Sequence, residues 1–146
     1  MPDIAQSSVT AYLTVKGGLD AIALYERAFG AELLTHKIAD DGKRVLHAAL
    51  DVFGTMIMLS DEFPEYGDDT KSPSTAGTTT ITLHAGFEDP KDVDAAMAKA
   101  KAAGCTVTMP PEDTFWGMRY GRLKDPFGHA WAFGAPLPGN SEGQSS

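Results

Sequence analysis

Two turns of the same form, Asp51-Val52-Phe53-Gly54 and Asp125-Pro126-Phe127-Gly128, stand 74 residues apart in a chain of 146. Gly30 and Gly104, each closing a helical pattern, are also 74 residues apart. Thr10 to Val15 matches Thr80 to Ala85 at an offset of 70, the difference falling at Phe87 to Pro90. The chain therefore reads as one unit written twice. At this length it forms one compact domain, or two small modules sharing one core.

The pattern within each copy sets the fold class. Val9 to Val15 alternates, with Val9, Ala11, Leu13 and Val15 on one face and Thr10, Tyr12 and Thr14 on the other, as in a strand with one covered face. Asp20 opens a helix whose Ile22, Tyr25, Ala28 and Phe29 form an apolar stripe ended by Gly30. Leu33 to Ile38, Arg44 to Leu50 and Thr55 to Ser60 complete a βαβββ module, with Asp40-Asp41-Gly42 as a hairpin turn. The second copy repeats this order. Its helix is expected from about Lys91 to Ala103 with Val93, Ala96, Met97 and Ala100 inward, then a strand Cys105 to Met109 interrupted by Pro110-Pro111. Arg119 to Lys124 and His129 to Phe133 form the last hairpin. The expected organisation is α+β: an extension at residues 1–8, modules at 9–60 and 78–135, a linker at 61–77 and a disordered tail at 136–146. Helices on one face of each sheet leave the other face bare. Side by side, the two sheets can curl into a cup, within one chain or across a dimer, with Thr10, Tyr12 and Thr14 facing Thr80, Thr82 and His84.

A net charge of −8 argues against nucleic acid, and it suits either solubility or a cationic small-molecule ligand. No apolar run approaches the ~18–20 residues of a membrane helix, and the N-terminus carries no secretory pattern. One cysteine, Cys105, precludes an internal disulfide and fits a reducing, cytoplasmic setting.

The segments VTAYLTV, LYERAFGAELL, VLHAALDV, MIMLSDE, DVDAAMAKAKAAG and FWGMRYGRLKDPFGHAW, in this order and spacing, resemble the vicinal oxygen chelate superfamily of glyoxalases, bleomycin-resistance proteins and dioxygenases, and within it the PhnB-like branch. The resemblance implies a cup that holds a small organic molecule, and paired chains. It also implies one divalent metal held from four strands, at positions that fall here on Thr10, Met58, Thr80 and Ala132. None of these is a good ligand, so no metal and no other cofactor is expected. PhnB-like sequences often read F-W-G-D-R-Y where this chain has Met118.

The candidate ligand-binding residues are Tyr12, His47, Thr80, Trp116, Tyr120 and Arg122. Leu46, Ala48 and Leu50 flanking His47 turn it toward the cup, whereas the 74-residue repeat pairs Ala48 with Arg122 and turns it away. Trp116 and Tyr120 can hold a flat or cationic ligand, or pack in the core. Only one of Arg119 and Arg122 can face the cup. Gly121 and Leu123 suit helix cover, which turns Tyr120 and Arg122 inward, and Arg122 can then pair with an anionic group. His84 faces the cup but sits near a strand end, where solvation suffices. Cys105 has no activating base, and Asp61-Glu62 reads as a solvated pair. Two functions stay open. One is a dimeric, metal-free binding module for a small, aromatic or cationic molecule. The other is a metal-independent lyase, isomerase or transferase using His47 or Tyr120 for proton transfer. A methyltransferase is excluded for want of a glycine-rich strand-to-helix turn.

Overall fold

A computed structural model describes residues 7–139. Most of the extension expected at residues 1–8, and residues 140–146 of the expected tail, lie outside the described residues. The first module comprises β1 (Tyr12–Val15), α1 (Gly18–Phe29), β2 (Glu32–Ile38), β3 (Val45–Val52) and β4 (Thr55–Asp61). A short helix α2 (Pro73–Ala76) follows in the connection. The second module comprises β5 (Thr82–Gly86), α3 (Pro90–Ala102), β6 (Thr106–Asp113), β7 (Met118–Lys124) and β8 (Ala130–Pro136). Each forms a four-stranded mixed sheet, ordered β1-β4-β3-β2 and β5-β8-β7-β6, whose first and last strands run parallel. This is the expected α+β fold of tandem βαβββ modules.

The two similar turns diverge for a stereochemical reason. Val52 pairs with Thr55, so Phe53-Gly54 is a two-residue hairpin loop with both φ positive, 52° and 83°. Proline cannot take positive φ. The second copy therefore spreads over five residues between the paired Lys124 and Ala130. Asp125 Oδ1 closes that loop by accepting from the Phe127 and His129 amides at 2.9 and 3.1 Å. Three more loop residues shift the register of β7 relative to β3. Ala49 stands opposite Met58 as Arg122 stands opposite Ala132, so His47 corresponds to Tyr120. Likewise Tyr12 pairs with Met58 and His84 with Ala132, which sets the offset between β1 and β5 at 72, not 70. Both Thr10 and Thr80 precede their strands.

The modules share one core. Leu13, Val15, Ala48, Leu50, Ile57 and Leu59 of the first sheet join Leu123, Trp131 and Phe133 of the second around α1 and α3. Helix α1 serves both sheets: its Phe29 ring lies 4.5 Å from that of Trp131, and its Tyr25 hydroxyl donates to Asp125 at 2.6 Å. The Phe53 ring, held at its costly positive φ, meets Phe29, Phe87 and Phe133 at 5.3 to 5.8 Å. With both helices packed together between the sheets, the bare faces look away from each other within one chain. β1 and β5 are not hydrogen-bonded neighbours. Instead His129 Nε2 meets the Thr14 carbonyl at 2.9 Å and ties the modules at that edge.

Two local expectations are corrected. β6 is not interrupted at Pro110-Pro111; as an edge strand it runs through them, and the pairing slips between Met109 and Glu112 where proline has no N–H to give. The Asp61-Glu62 pair is not solvated. Asp61 is 4% exposed, and its carboxylate accepts from the amides of Gly17, Gly18 and Val45 at 2.7 to 3.1 Å. Glu62 accepts from the Ser72 amide and hydroxyl, which holds its carboxyl below the usual range. Among the described residues no helix is long and apolar enough to cross a membrane.

Candidate functional site: two bare sheet faces

The bare face of the second sheet is shaped by small residues on β8. Ala130, Ala132 and Gly134 alternate with Trp131, Phe133 and Ala135. The large residues fill the core, so the small ones leave a shallow trough between β5 and β7. Two long side chains bridge it. Arg122 on β7 reaches over β8 to donate to Thr82 Oγ1 on β5 at 2.6 Å, which leaves Ala132 only 2% exposed. His84 on β5 reaches the other way and stacks on Tyr120 of β7, with ring centroids 6.2 Å apart and planes 17° apart. A Cβ on Gly134 would lie 3.0 Å from the His84 ring, so the glycine makes room for that stack. Trp116 meets Tyr120 edge-on at 5.8 Å and is 49% exposed. Arg119 points to the helix side, where Asp94 and Asp113 bind it.

On the first sheet the bare face presents Tyr12 and His47. The Tyr12 hydroxyl lies 3.1 Å from His47 Nδ1. A bulge explains the conflicting parity of His47: Lys37 pairs with His47 and Ile38 with Val45, so Leu46 is extra, and Val45 and Ala48 both turn to the core. The connection after β4 folds over this face. Phe63 and Tyr66 stack there at 5.6 Å, and with Tyr12, Leu46 and Ser60 they line a cleft of about 450 Å³.

Of the six expected binding residues, Tyr12 and His47 thus share one face. Trp116, Tyr120 and Arg122 share the other, and Thr80 lines the same cleft as Arg122. Thr82 and His84 were expected on the cup face but not among the binding residues, and Lys124 was not singled out from the sequence. The alternation of small and large residues in AWAFG was the available signal.

The strand order, the duplication and the paired bare faces describe a known architecture. The family model of the Glyoxalase/Bleomycin resistance protein/Dioxygenase superfamily matches residues 9–133. The chain belongs to this superfamily. A relative from Mycobacterium tuberculosis is 38% identical over 133 residues, covering 90% of this chain and 76% of its own. TioX from Micromonospora sp. ML1 superimposes with a TM-score of 0.65 at 27% identity, over 92% of this chain and 99% of its own. A Bacillus cereus PhnB protein, described as a putative 3-demethylubiquinone-9 3-methyltransferase, superimposes with a TM-score of 0.66 at 20% identity, over 90% and 99%.

Within one chain, the described residues offer no donor set that fits the divalent metal the superfamily resemblance implies. Thr10 lines a cleft between the modules with Phe53 and His84, whereas Thr80 lines a separate one with Arg122. The four positions Thr10, Met58, Thr80 and Ala132 therefore do not converge within a chain. The register-matched set Tyr12, Met58, His84 and Ala132 holds a single imidazole and no carboxylate. Among the described residues no three His, Cys, Asp or Glu side chains gather where they can hold a metal ion. Cys105 is buried, and burial, with the Asp125 carboxylate adding to it, pushes its thiol up to about 11, far from a nucleophile's range.

Proposed function

We propose that the protein is a homodimeric small-molecule binder, working without a metal. Its sites lie between the Tyr12–His47 face of one chain and the Trp116–Tyr120–Arg122 face of a second copy. The observation that carries this reading is the pair of bare faces turned apart. Each is half a pocket, and each exposes large side chains: Tyr12 at 50%, Met56 at 41%, Trp116 at 49% and Phe115 at 97%. A twofold partner completes both halves at once and covers these groups. The His84–Tyr120 stack with Trp116 across its edge is a platform for a flat organic ligand. Light scattering tests the dimer, with twice the 15.5 kDa chain mass expected at tens of micromolar; a monomer refutes it. Native mass spectrometry of freshly purified protein, followed by Trp116→Ala, tests the ligand. Retention of a co-purified small molecule by the parent and its loss from the variant are expected.

One observation favours a catalytic second reading. The Tyr12–His47 pair has the geometry of a proton-transfer couple on the wall facing the platform. A metal-independent lyase, isomerase or transferase acting on the bound molecule would lose turnover, not binding, in His47→Gln.

A further inference from the structure

The cleft of about 290 Å³ beside Arg122 differs from the rest of this acidic molecule. It is lined by Thr78, Thr79, Thr80 and Thr82 together with Arg122 and Lys124, and among the described residues no carboxylate lines it, although the chain has 20 acidic residues and a net charge of −8. Arg44, just before β3, and Arg119 on β7 are neutralised where they stand. Arg44 is held by Asp41 and Glu65, and Arg119 by Asp94 and Asp113. Arg122 donates instead to the hydroxyl of Thr82, at 2.6 Å. That bond fixes the guanidinium over the β8 trough without cancelling its charge, and no buried donor is left without a partner among the described residues. The remaining N–H groups of the planar fork are thus open to solvent, and Arg122 lines the cleft. Lys124, two residues along β7, adds a second positive charge on the same side. A preset guanidinium fork, hydroxyl donors and an absence of competing carboxylates make a receptor for an oxyanion.

We propose that this cleft is an anion subsite, which takes the carboxylate, phosphate or phosphonate group of the bound molecule while its flat part lies on the His84–Tyr120–Trp116 platform. The proposal rests on the preceding reading for the rest of the ligand and deepens it by reversing the charge expected from the acidic composition: the ligand is anionic at this end, not cationic.

The test begins with inorganic phosphate, titrated against ¹⁵N-labelled protein at constant ionic strength. Saturable shifts of the Arg122 Nε–H and of the amides of residues 78–82 are expected, weakened roughly tenfold in Arg122→Gln. Ala132→Leu, which keeps the arginine but blocks its path over β8, should weaken binding similarly. Shifts that are absent, or equal in parent and both variants, overturn the subsite. Phenylphosphonate, benzoate, benzamide and benzamidinium are then compared by calorimetry. Preference for phenylphosphonate marks a phosphate-type group and preference for benzoate a carboxylate. Benzamide or benzamidinium binding as tightly as both anions overturns the proposal. The two readings fail separately. Phosphate binding at Arg122 with no aromatic probe quenching Trp116 sinks the platform alone, and the converse sinks the subsite alone.

Discussion

Replacing Asp125 should loosen the joint between the two modules. The carboxylate is 3% exposed and accepts four hydrogen bonds. Two close its own loop. The other two hold side chains that are themselves buried: the Tyr25 hydroxyl of the first module at 2.6 Å and Trp131 Nε1 of the second at 2.9 Å. In Asp125→Ala both donors stay buried without an acceptor, at about 1–3 kcal/mol each, and the loop loses its closure, so a loss of roughly 3–6 kcal/mol is expected. That is a large part of the ~5–15 kcal/mol that holds a domain together. Tyr25→Phe removes one donor and leaves the acceptor its other partners, so it should cost only about 1–2 kcal/mol. The same contact shows in the phenol itself, which burial, and then the Asp125 charge, raise well above the ordinary tyrosine range. Urea denaturation of the parent, both single variants and the double variant gives the coupling. At least ~1 kcal/mol of non-additivity is expected, since residues sharing one buried bond do not act independently. If Asp125→Ala costs less than about 1 kcal/mol, or if the two changes add, the carboxylate is not the joint.

Other consequences are equally open to measurement. Asp61→Ala strands the buried amides of Gly18 and Val45 and the part-buried amide of Gly17, and should cost about 3 kcal/mol in the same assay; an unchanged midpoint would show that solvent reaches them. The Cys105 thiol, raised from 9.0 to about 11, is protonated in both folded and unfolded chains below about pH 8 and contributes no slope there. Above that the unfolded chain releases its proton first, so stability should fall by about 1–3 kcal/mol toward pH 11, and Cys105→Ala should flatten the fall between pH 9 and 10. Elemental analysis after dialysis should find far less than one zinc, nickel, iron or manganese per chain; a stoichiometric metal would show that the donor-set argument misses ligands. Gly134→Val should displace the His84 ring and lower affinity for a flat ligand without unfolding the protein, as read by tryptophan fluorescence and the melting curve.

The duplication, the βαβββ order, the helix stops at Gly30 and Gly104, and the turn of Tyr120 and Arg122 away from the helices were all legible from residue types and spacing. Those features depend on local chemistry: a two-residue period, a helical stripe and a glycine that tolerates positive φ. The exact register was not. One proline in the second turn forces a longer loop, and an extra Leu46 forms a bulge, so a repeat that is regular in the sequence is out of step in space. The partners of charged groups were hidden for a similar reason. Asp61 looked solvated beside Glu62, and Asp125 looked like any turn residue, because their donors come from 16 to 44 and up to 100 residues away. The lie of the bare faces was decided only by tertiary packing. Each sheet's pattern says that one side is covered, but not by what. Here α1 and α3 pack on each other as well as on their own sheets, and Tyr25 and Phe29 of α1 reach Trp131 and Phe133 of the second sheet.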